Sequence, residues 1–306
     1  MIKRTLHFSN PAHLSVKLNQ LVVELKDAVR TTKTIPIEDL GLVVLEHPQI
    51  TLTSILLEKL MEQKVALISC NSKYMPNGMH LPFESNTEQT ARMRTQIEAT
   101  IPLKKQLWQQ TIKAKIQNQA NVLMRLGENN ERLLYLKEKV LSGDSKNCEA
   151  QAANYYWSKL YGNDFVRSRI RETPNAQLNY GYAILRSLVA RALVSSGMHP
   201  SFGIFHKNKY NAFCLADDIM EPYRPFIDWE VLKLLKPISD SDFEFQEDDA
   251  SELTREQKIA LLQLPQLDMS LLELKTPLYH AVSMTTAGLY KCFAGESRKI
   301  PYPIFE

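Results

Sequence analysis

The sequence predicts an α+β protein: a small N-terminal β-rich domain over residues 1–83, followed by a larger all-α domain over residues 84–306. Apolar and polar residues alternate with a period of two in the first segment, and the pattern changes to a helical period after Phe83. The length of 306 residues also suits two domains of roughly 150 residues each. Glycine is sparse, at 10 residues, which disfavours glycine-rich nucleotide loops and a large β-sheet architecture.

The N-terminal domain is expected to contain several short strands and one helix. Asn10-Pro11 marks a turn after the first strand, and the apolar run 40–45 indicates a buried strand. The predicted elements are strands at 4–8, 14–18, 21–25, 40–45 and 65–68, a helix over about 53–63 and a loop over 71–83. Because so small a sheet has open edges and need not bury the whole 40–45 run, we expect residues 1–83 to mediate homodimerisation.

The second domain shows helical spacing along most of its length. Apolar residues recur at helical positions from Leu103 to Leu126, with Pro102 at the predicted start of this helix and Gly127 just past its end. Further helices are predicted over about 129–141, 147–161, 178–196 and 213–235, with helical pieces between 264 and 293 and an extended tail at 298–303. Residues 240–256 hold eight acidic residues against one basic residue, Arg255, and are predicted to form an exposed loop.

Charge is distributed unevenly along the chain, although the formal net charge of the whole is only +3. Residues 1–83 carry nine Lys/Arg against seven Asp/Glu, residues 84–197 carry 17 against 10, and residues 198–306 carry 11 against 17. A basic middle segment followed by an acidic one suits a protein that binds a polyanion. A solvated helix surface has the same composition, so charge alone leaves both interpretations open.

Cysteine usage and the N-terminus bear on the compartment. The four cysteines form no C-x-x-C pair, which excludes the common zinc ribbons and a disulfide framework. The start, MIKRTLHFSN, has no apolar core of a signal peptide, and no apolar run is long enough to cross a bilayer. We therefore expect a cytoplasmic protein without a membrane partner.

Glu149 is the first of three polar positions that stand out against apolar helix faces. In NCEAQAANYYWSKLYG it shares a stripe with Tyr156 and Leu160, so its carboxylate must be paired, hydrogen-bonded or bound to an ion. The structural alternative is a first-turn glutamate that complements the helix dipole after a cap at Asp144 or Ser145.

His206 is the second position. It lies in the segment HPSFGIFHKNKYNAF, which contains Pro200 and Gly203 and follows the predicted helix 178–196. Loops carry functional residues more often than cores do. The alternative is a structural histidine whose ring nitrogens bond within the protein.

The third position is the run ADDIMEPYRPFID. Asp218 and Glu221 lie three residues apart on one helix face, whereas Asp217 points elsewhere and is expected to be solvated. Pro222 redirects the chain directly after Glu221. Arg224 can then pair with a carboxylate or a phosphate, and the structural alternative is an acidic helix end with Arg224 as its internal partner.

Together these residues suit a divalent cation. Two or three carboxylates and one imidazole form a mixed donor set of the kind that binds Mg²⁺ or Mn²⁺, whereas zinc would favour thiolates or more histidines. Beside basic helices, such an ion would serve phosphodiester chemistry. The residue types alone therefore make a metal-dependent phosphodiesterase one candidate function. Spacing leaves open whether Glu149, His206 and Glu221 converge in space.

The same three stretches resemble the Cas1 family, the CRISPR-associated integrase and endonuclease of spacer acquisition, and most closely its type II branch. The resemblance is carried by CEAQAANYYW around Glu149, by NAQLNYGYAILRSLVARALVSSGMHPSFGIFHKNKYNAF through His206, and by LADDIMEPYRPFID around Glu221. These stretches span about 80 residues. The predicted two-domain layout agrees with that of the family over the whole length.

The resemblance implies specific roles for four residues. Glu149, His206 and Glu221 match the metal ligands of the family, and Asp218 matches a nearby acidic position that supports the site. Many members have Asp at the third ligand position, and Glu is the usual type II variant. The resemblance also implies Mg²⁺ or Mn²⁺ as cofactor, DNA endonuclease activity, and insertion of prespacer DNA into a CRISPR array by attack of its 3′-hydroxyl ends on the repeat boundaries.

The partners that the resemblance implies are double-stranded DNA, a second copy of the chain, and a Cas2 dimer flanked by two homodimers in a heterohexamer. A Cas9 effector and other adaptation proteins are further candidates. The expected DNA path follows basic residues of the middle segment and of the His206 loop: Arg167, Arg169, Arg171, Arg186, Arg191, Lys207, Lys209 and Arg224. Some of these side chains can equally be internal ion-pair partners.

Two other functions remain open from sequence. A catalytically silent DNA-binding or assembly subunit would not need Glu149, His206 and Glu221 to be present together. A structure-specific repair nuclease would use the same metal site outside any array.

Overall fold

The chain forms two compact units, Met1–Thr87 and Glu88–Glu306. The computed structural model describes residues 3–26, 31–168, 173–235 and 253–306. The predicted division after Phe83 lies four residues before the division between the units. Arg169, Arg171 and most of the predicted acidic loop lie outside the described residues.

The N-terminal unit is built from two four-stranded sheets and one helix. Its elements are β1 (Arg4–Phe8), β2 (Ala12–Lys17), β3 (Gln20–Leu25), β4 (Thr32–Pro36), β5 (Leu40–Leu45), β6 (Thr51–Leu52), α1 (Ser54–Glu62), β7 (Ala66–Cys70) and β8 (Pro76–His80). One sheet has the strand order β1-β5-β7-β8 and the other β4-β3-β2-β6. Buried side chains from both sheets and from α1 form one apolar core, which includes Leu14, Leu21, Leu56 and Leu67.

Local sequence explains two of the turns in this unit. Strands β2 and β3 are joined at Leu18 and Asn19, whose φ angles of 51° and 58° suit a two-residue hairpin turn. Helix α1 begins after Thr53, whose hydroxyl accepts the backbone N–H of Leu56. Strand β8 lies where a loop was expected, because an edge strand pairs with β7 through its backbone and needs no apolar alternation.

The apolar run 40–45 is covered within this chain. It forms β5, which pairs in parallel with β1 on one side and β7 on the other. Leu40, Leu42 and Val44 are fully buried. The expectation that this run stays partly exposed is therefore wrong: its two edges are paired, and five of its six residues are buried in the unit. Homodimerisation stays a prediction, supported now by the family resemblance and the open sheet edges.

The second unit is helical, which confirms the predicted fold class. Its helices are α2 (Gln89–Glu98), α3 (Ile101–Arg125), α4 (Glu131–Lys139), α5 (Cys148–Tyr161), α6 (Asn175–Ser195), α7 (Cys214–Met220), α8 (Arg224–Leu235), α9 (Arg255–Leu261) and α10 (Leu278–Phe293). Helix α3 begins after the cap Thr100 with Pro102 in its first turn, and Gly127 beyond its end has a φ of 74°. Within the described residues, no helix is both long and apolar enough to cross a membrane.

A short hairpin interrupts the helices where helical pieces were expected. Strands β9 (Asp268–Leu271) and β10 (Leu274–Pro277) pair antiparallel, with a turn at Leu272 and Glu273. In β9 the side chains alternate, with Met269 and Leu271 buried, but the alternation extends over only four residues. So short a pattern cannot be distinguished from a helical turn by spacing, which is why the sequence did not predict the hairpin. The C-terminal tail is extended as predicted, and Ile304 bridges to Ser270 of β9.

Helices α5, α6 and α8 meet at a buried carboxyl group. Asp228 on α8 is 1% exposed and accepts hydrogen bonds from the hydroxyl groups of Tyr156 (3.2 Å) and Tyr182. Burial raises the pKa of Asp228 to about 7, because desolvation outweighs these hydrogen bonds and the nearby charge of Arg224. This carboxyl group therefore exchanges its proton near neutral pH.

We expect Asp228 to make the protein less stable as the pH rises. Its carboxyl titrates near 3.8 in the unfolded chain and near 7 in the folded one, so the folded state holds the extra proton between these values. The free energy of unfolding should fall through this window, by at most about 4 kcal/mol from this group. Asp228→Asn should remove that fall, as measured by urea unfolding at a series of pH values.

Asp164→Asn is the matched control, because Asp164 is an exposed carboxylate of the same unit. This variant should keep the pH dependence of the wild type. If Asp228→Asn and the wild type have the same pH profile, the raised pKa of Asp228 is wrong.

Candidate functional site

Glu149 lies in the first turn of α5, where the chain presents it to α3. The carboxylate of Asp144 accepts the backbone N–H groups of Cys148 and Glu149, both at 2.9 Å, and so caps the start of this helix. The side chain of Glu149 is 24% exposed and bonds the ammonium of Lys115 at 2.7 Å. Glu149 is therefore both a glutamate in the first turn of a capped helix and a carboxylate with a charged partner.

Lys115 is the residue on which two of the predicted ligands meet. It lies on α3, and its side chain is 10% exposed. Its Nζ atom is 2.7 Å from Oε1 of Glu149 and 2.6 Å from Oε2 of Glu221. Burial would lower the pKa of Lys115, but the charges of Glu221 and Glu149 raise it above the usual lysine value. The lysine is thus a charged bridge between the two carboxylates.

Glu221 sits where α7 passes through a single 3₁₀ turn, Glu221–Tyr223, into α8. Pro222 and Pro225 lie in the first turns of the two segments, where a missing N–H costs nothing, so the chain stays helical. Arg224 holds the other carboxylate oxygen of Glu221 at 2.8 Å. Burial would raise the pKa of Glu221, but Arg224 and Lys115 hold it at about 2.

His206 is held in place by Asp218. Nδ1 of His206 and Oδ1 of Asp218 are 2.6 Å apart, and Asp218 also accepts the backbone N–H groups of Ile204, Phe205 and His206. Asp218 is fully buried, whereas the His206 side chain is 40% exposed. The hydrogen bond to Asp218, with a smaller contribution from Glu221, raises the pKa of His206. Because Nδ1 is occupied, Nε2 is the nitrogen that His206 presents to a ligand.

An aromatic stack and a glycine support the His206 loop. The rings of Phe205 and Trp108 stack with centroids 4.2 Å apart and planes 2° apart, and His206 meets Trp108 edge-on. A side chain at Gly203 would place its Cβ 2.5 Å from the carbonyl oxygen of His206 and 2.8 Å from Asp218. The close approach of this loop to Asp218 therefore requires glycine.

The predicted ligands have the donor chemistry of a divalent-cation site, but the ammonium of Lys115 lies between two of them. Among the described residues, no three His, Cys, Asp or Glu side chains converge closely enough to hold a metal ion. Two carboxylates do converge on one positive charge, Lys115, and Oε2 of Glu221 is buried without a hydrogen bond of good geometry. With Nε2 of His206, these oxygens are the donor types that Mg²⁺ and Mn²⁺ bind. These donor types suit such an ion, and Lys115 lies in the space between the two carboxylates.

A polar cavity of about 680 Å³ adjoins this cluster, and Arg167, Arg186 and Arg224 line it. Arg186 makes two hydrogen bonds to Asp217, at 2.6 and 3.1 Å. Arg167 bonds the side chains of Asn175 and Asn179. Asp217 is 7% exposed, so the expectation that it is solvated is wrong; Arg186 and its neighbours enclose it.

The other predicted DNA contacts differ in how exposed they are. Lys207 and Lys209 are exposed beside His206. Arg191 is buried, and its guanidinium lies over the ring of Tyr279 at 4.3 Å. Arg191 is therefore an internal partner, whereas the two lysines face solvent.

The sequence patterns did not identify Lys115 and Trp108 as site residues, although both lie at the site. A signal was present, because positions 108, 111, 115 and 118 follow helical spacing and carry three polar residues on a face that proves buried. A lysine at such a position indicates a buried acidic partner.

The sequence is similar to one family along most of its length. The sequence model of the family described as CRISPR associated protein Cas1 matches residues 6–266. The CRISPR-associated endonuclease Cas1 of Neisseria meningitidis serogroup C (strain 8013) is 38% identical over 236 residues, which cover 76% of this chain and 76% of that protein.

Solved structures share the fold. A CAS1 protein from Thermotoga maritima matches with a TM-score of 0.78 at 19% identity and covers 99% of both chains. A casposase bound to integration product matches with a TM-score of 0.75 at 17% identity, over 98% of this chain and 92% of that one. A chain of a Cas6-RT-Cas1–Cas2 complex matches with a TM-score of 0.72 at 20% identity, over 98% of this chain and 36% of its own length. With the family match over most of the sequence, the chain belongs to the Cas1 family of CRISPR-associated proteins.

Proposed function

We propose that this chain is a metal-dependent DNA integrase and endonuclease of CRISPR adaptation, which inserts prespacer DNA into a CRISPR array. One observation carries the proposal: Glu149 and Glu221, from separate segments, meet at one buried cation close to the His206–Asp218 pair. Such a set has no use in a subunit that only binds DNA, and it costs stability to bury. The endonuclease activity named for the Neisseria relative supports the same chemistry.

The proposed site has separate groups for the metal, the imidazole and the phosphate. When bound, Mg²⁺ or Mn²⁺ would neutralise phosphate oxygens and favour deprotonation of the attacking water or 3′-hydroxyl. Glu149, Glu221 and Nε2 of His206 would hold the ion, while Asp218 fixes the tautomer and orientation of His206. Arg224 keeps Glu221 ionised for this task.

The proposed DNA path reaches the site past Lys207 and along the arginine-lined cavity. Arg167 and Arg224 border that cavity, and the exposed lysines extend it to the His206 loop. Contacts of this kind bind phosphates and carry little sequence information. The path therefore suits prespacer DNA of any sequence.

The proposed partners are a second copy of the chain and a Cas2 dimer. The fold is shared with a chain of a Cas6-RT-Cas1–Cas2 complex, and this likeness supports the partnership with Cas2. The edge strands β4 and β8 are candidates for the self-association surface, because no strand among the described residues pairs with their outer backbone groups.

Glu149→Gln, Glu221→Gln and His206→Ala should each reduce metal-dependent strand transfer by several orders of magnitude, since each removes a proposed ligand. Asp218→Asn should cost less, about 10- to 100-fold, because it acts through His206. The measurement is insertion of labelled prespacer into repeat DNA, with circular dichroism to confirm folding. Glu138→Gln, at an exposed carboxylate on α4, is the control and should keep full activity. Near-normal insertion by any folded ligand variant would refute the role of that residue.

Lys207→Glu should weaken DNA binding and flatten its dependence on salt, because each lost phosphate contact removes about 0.9 from the slope of log affinity against log salt. Arg167→Glu should act in the same direction if its guanidinium leaves Asn175 and Asn179 for the DNA. Fluorescence anisotropy over a salt series gives both quantities. Neutralising the acidic residues of 240–256 is the control and should leave binding equal or slightly tighter. The DNA path is wrong if this control abolishes binding while both charge reversals leave it unchanged.

The full chain should be a dimer at micromolar concentration, with an interface that depends on the N-terminal unit. Light scattering with size-exclusion chromatography gives the mass directly. Glu or Lys substitutions along the outer edges of β4 and β8 should shift the mass towards the monomer. A wild type that is monomeric contradicts the proposal, and a dimer that survives every edge substitution places the interface elsewhere.

A further inference from the structure

We propose that Lys115 is a resident cation of the site, which holds Glu149 and Glu221 together in the absence of metal and must leave them before a divalent ion binds. The inference rests on the proposed function, since it concerns the same donor set. It assigns Lys115 as a positioning residue that sets the metal affinity.

The contacts of Lys115 support this role. Its Nζ atom lies within 2.7 Å of one oxygen from each carboxylate, and the side chain is 10% exposed. No hydrogen bond of good geometry reaches Oε2 of Glu221, so charge alone holds the lysine on that oxygen. The one directed hydrogen bond of the ammonium within this pair of carboxylates is therefore the one to Glu149.

The charge balance explains why Lys115 has to move. The carboxylates of Glu149 and Glu221 carry two negative charges, which the ammonium of Lys115 and the guanidinium of Arg224 neutralise. A divalent ion added to this set would leave two uncompensated positive charges in a buried place, which is strongly unfavourable. Departure of one cation halves that excess.

Of the two cations, Lys115 is the one that can leave. Arg224 forms an ion pair with Glu221 from three residues away on the same segment, likewise without a hydrogen bond of good geometry. Its guanidinium also lies over the ring of Tyr182 at 4.5 Å, and this contact, together with the short chain distance, keeps it beside Glu221. Lys115 has a flexible four-carbon stem and approaches from α3, with both of its ion pairs made to the proposed metal ligands. Its release therefore frees one oxygen on each carboxylate at once.

A purely structural ion pair gives a different result from a competing cation. If Lys115 serves stability alone, a neutral side chain of similar length would lower the melting temperature and leave metal affinity unchanged or weakened. If Lys115 competes with the metal, the same change would raise metal affinity, because the unpaired carboxylates gain a partner only when the ion binds.

The experiment measures binding of MnCl₂ to the full chain by calorimetry and by thermal unfolding with and without the ion. Lys115→Met should bind Mn²⁺ at least about tenfold more tightly than the wild type. It should have a lower melting temperature without metal, and Mn²⁺ should raise that temperature by more than it does in the wild type. Lys115→Arg keeps the charge and should bind no more tightly than the wild type. Lys113→Met, two residues away on α3, is the matched control and should equal the wild type, because Lys113 makes no ion pair within the described residues.

A second measurement uses the wild type, so it does not depend on the folding of a variant. Amine acylation followed by mass spectrometry should label Lys115 slowly without metal and severalfold faster at saturating Mn²⁺, while labelling of Lys113 stays constant. Unchanged labelling of Lys115 overturns the inference, and so does a folded Lys115→Met that binds Mn²⁺ no more tightly than the wild type. In either case the proposed function stands if the wild type binds Mn²⁺. If neither the wild type nor Lys115→Met binds Mn²⁺, the metal site itself is wrong, and the inference fails with it.

Discussion

Helices α3 and α5 and the turn into α8 meet at a buried charge cluster, and the position of each is constrained by it. Lys115 contributes one positive charge between the carboxylates of Glu149 and Glu221, and Arg224 contributes a second on the far side of Glu221. A buried charge without a partner is strongly unfavourable, so a shift of any of these segments would cost stability by separating a buried charge from its partner. The middle of α3, the start of α5 and the turn into α8 are thereby held around one small volume.

The His206 loop is constrained in a different way. Asp218 accepts three consecutive backbone N–H groups and the imidazole, so one carboxylate shapes the whole turn from residue 204 to residue 206. The flat stack of Phe205 on Trp108 anchors the turn to α3, the helix that also carries Lys115. An imidazole held through its Nδ1 atom and backed by a rigid stack is pre-organised, which would lower the entropy cost of any contact made through Nε2.

The basic character of the middle segment has two physical origins that composition does not separate. Arg191 is buried against an aromatic ring, whereas Arg186, whose side chain is 43% exposed, pairs with the carboxylate of Asp217 at the cavity. Lys207 and Lys209 have their charges in solvent. Guanidinium groups form several directed hydrogen bonds and tolerate burial, whereas ammonium groups are strongly hydrated, so exposed lysines are the better guide to a polyanion path.

The sequence by itself determined the α+β layout, most of the helices and the names of the candidate ligands, because period and capping depend on neighbours a few residues apart. It did not reveal Lys115, since the meaning of that residue depends on the carboxylates that two other segments bring to it. Strand β8 and the β9–β10 hairpin also escaped prediction, because backbone pairing of such short strands leaves little pattern in the side chains. Only the tertiary structure decided which charges meet, because charges far apart in sequence become partners when packing excludes water from between them.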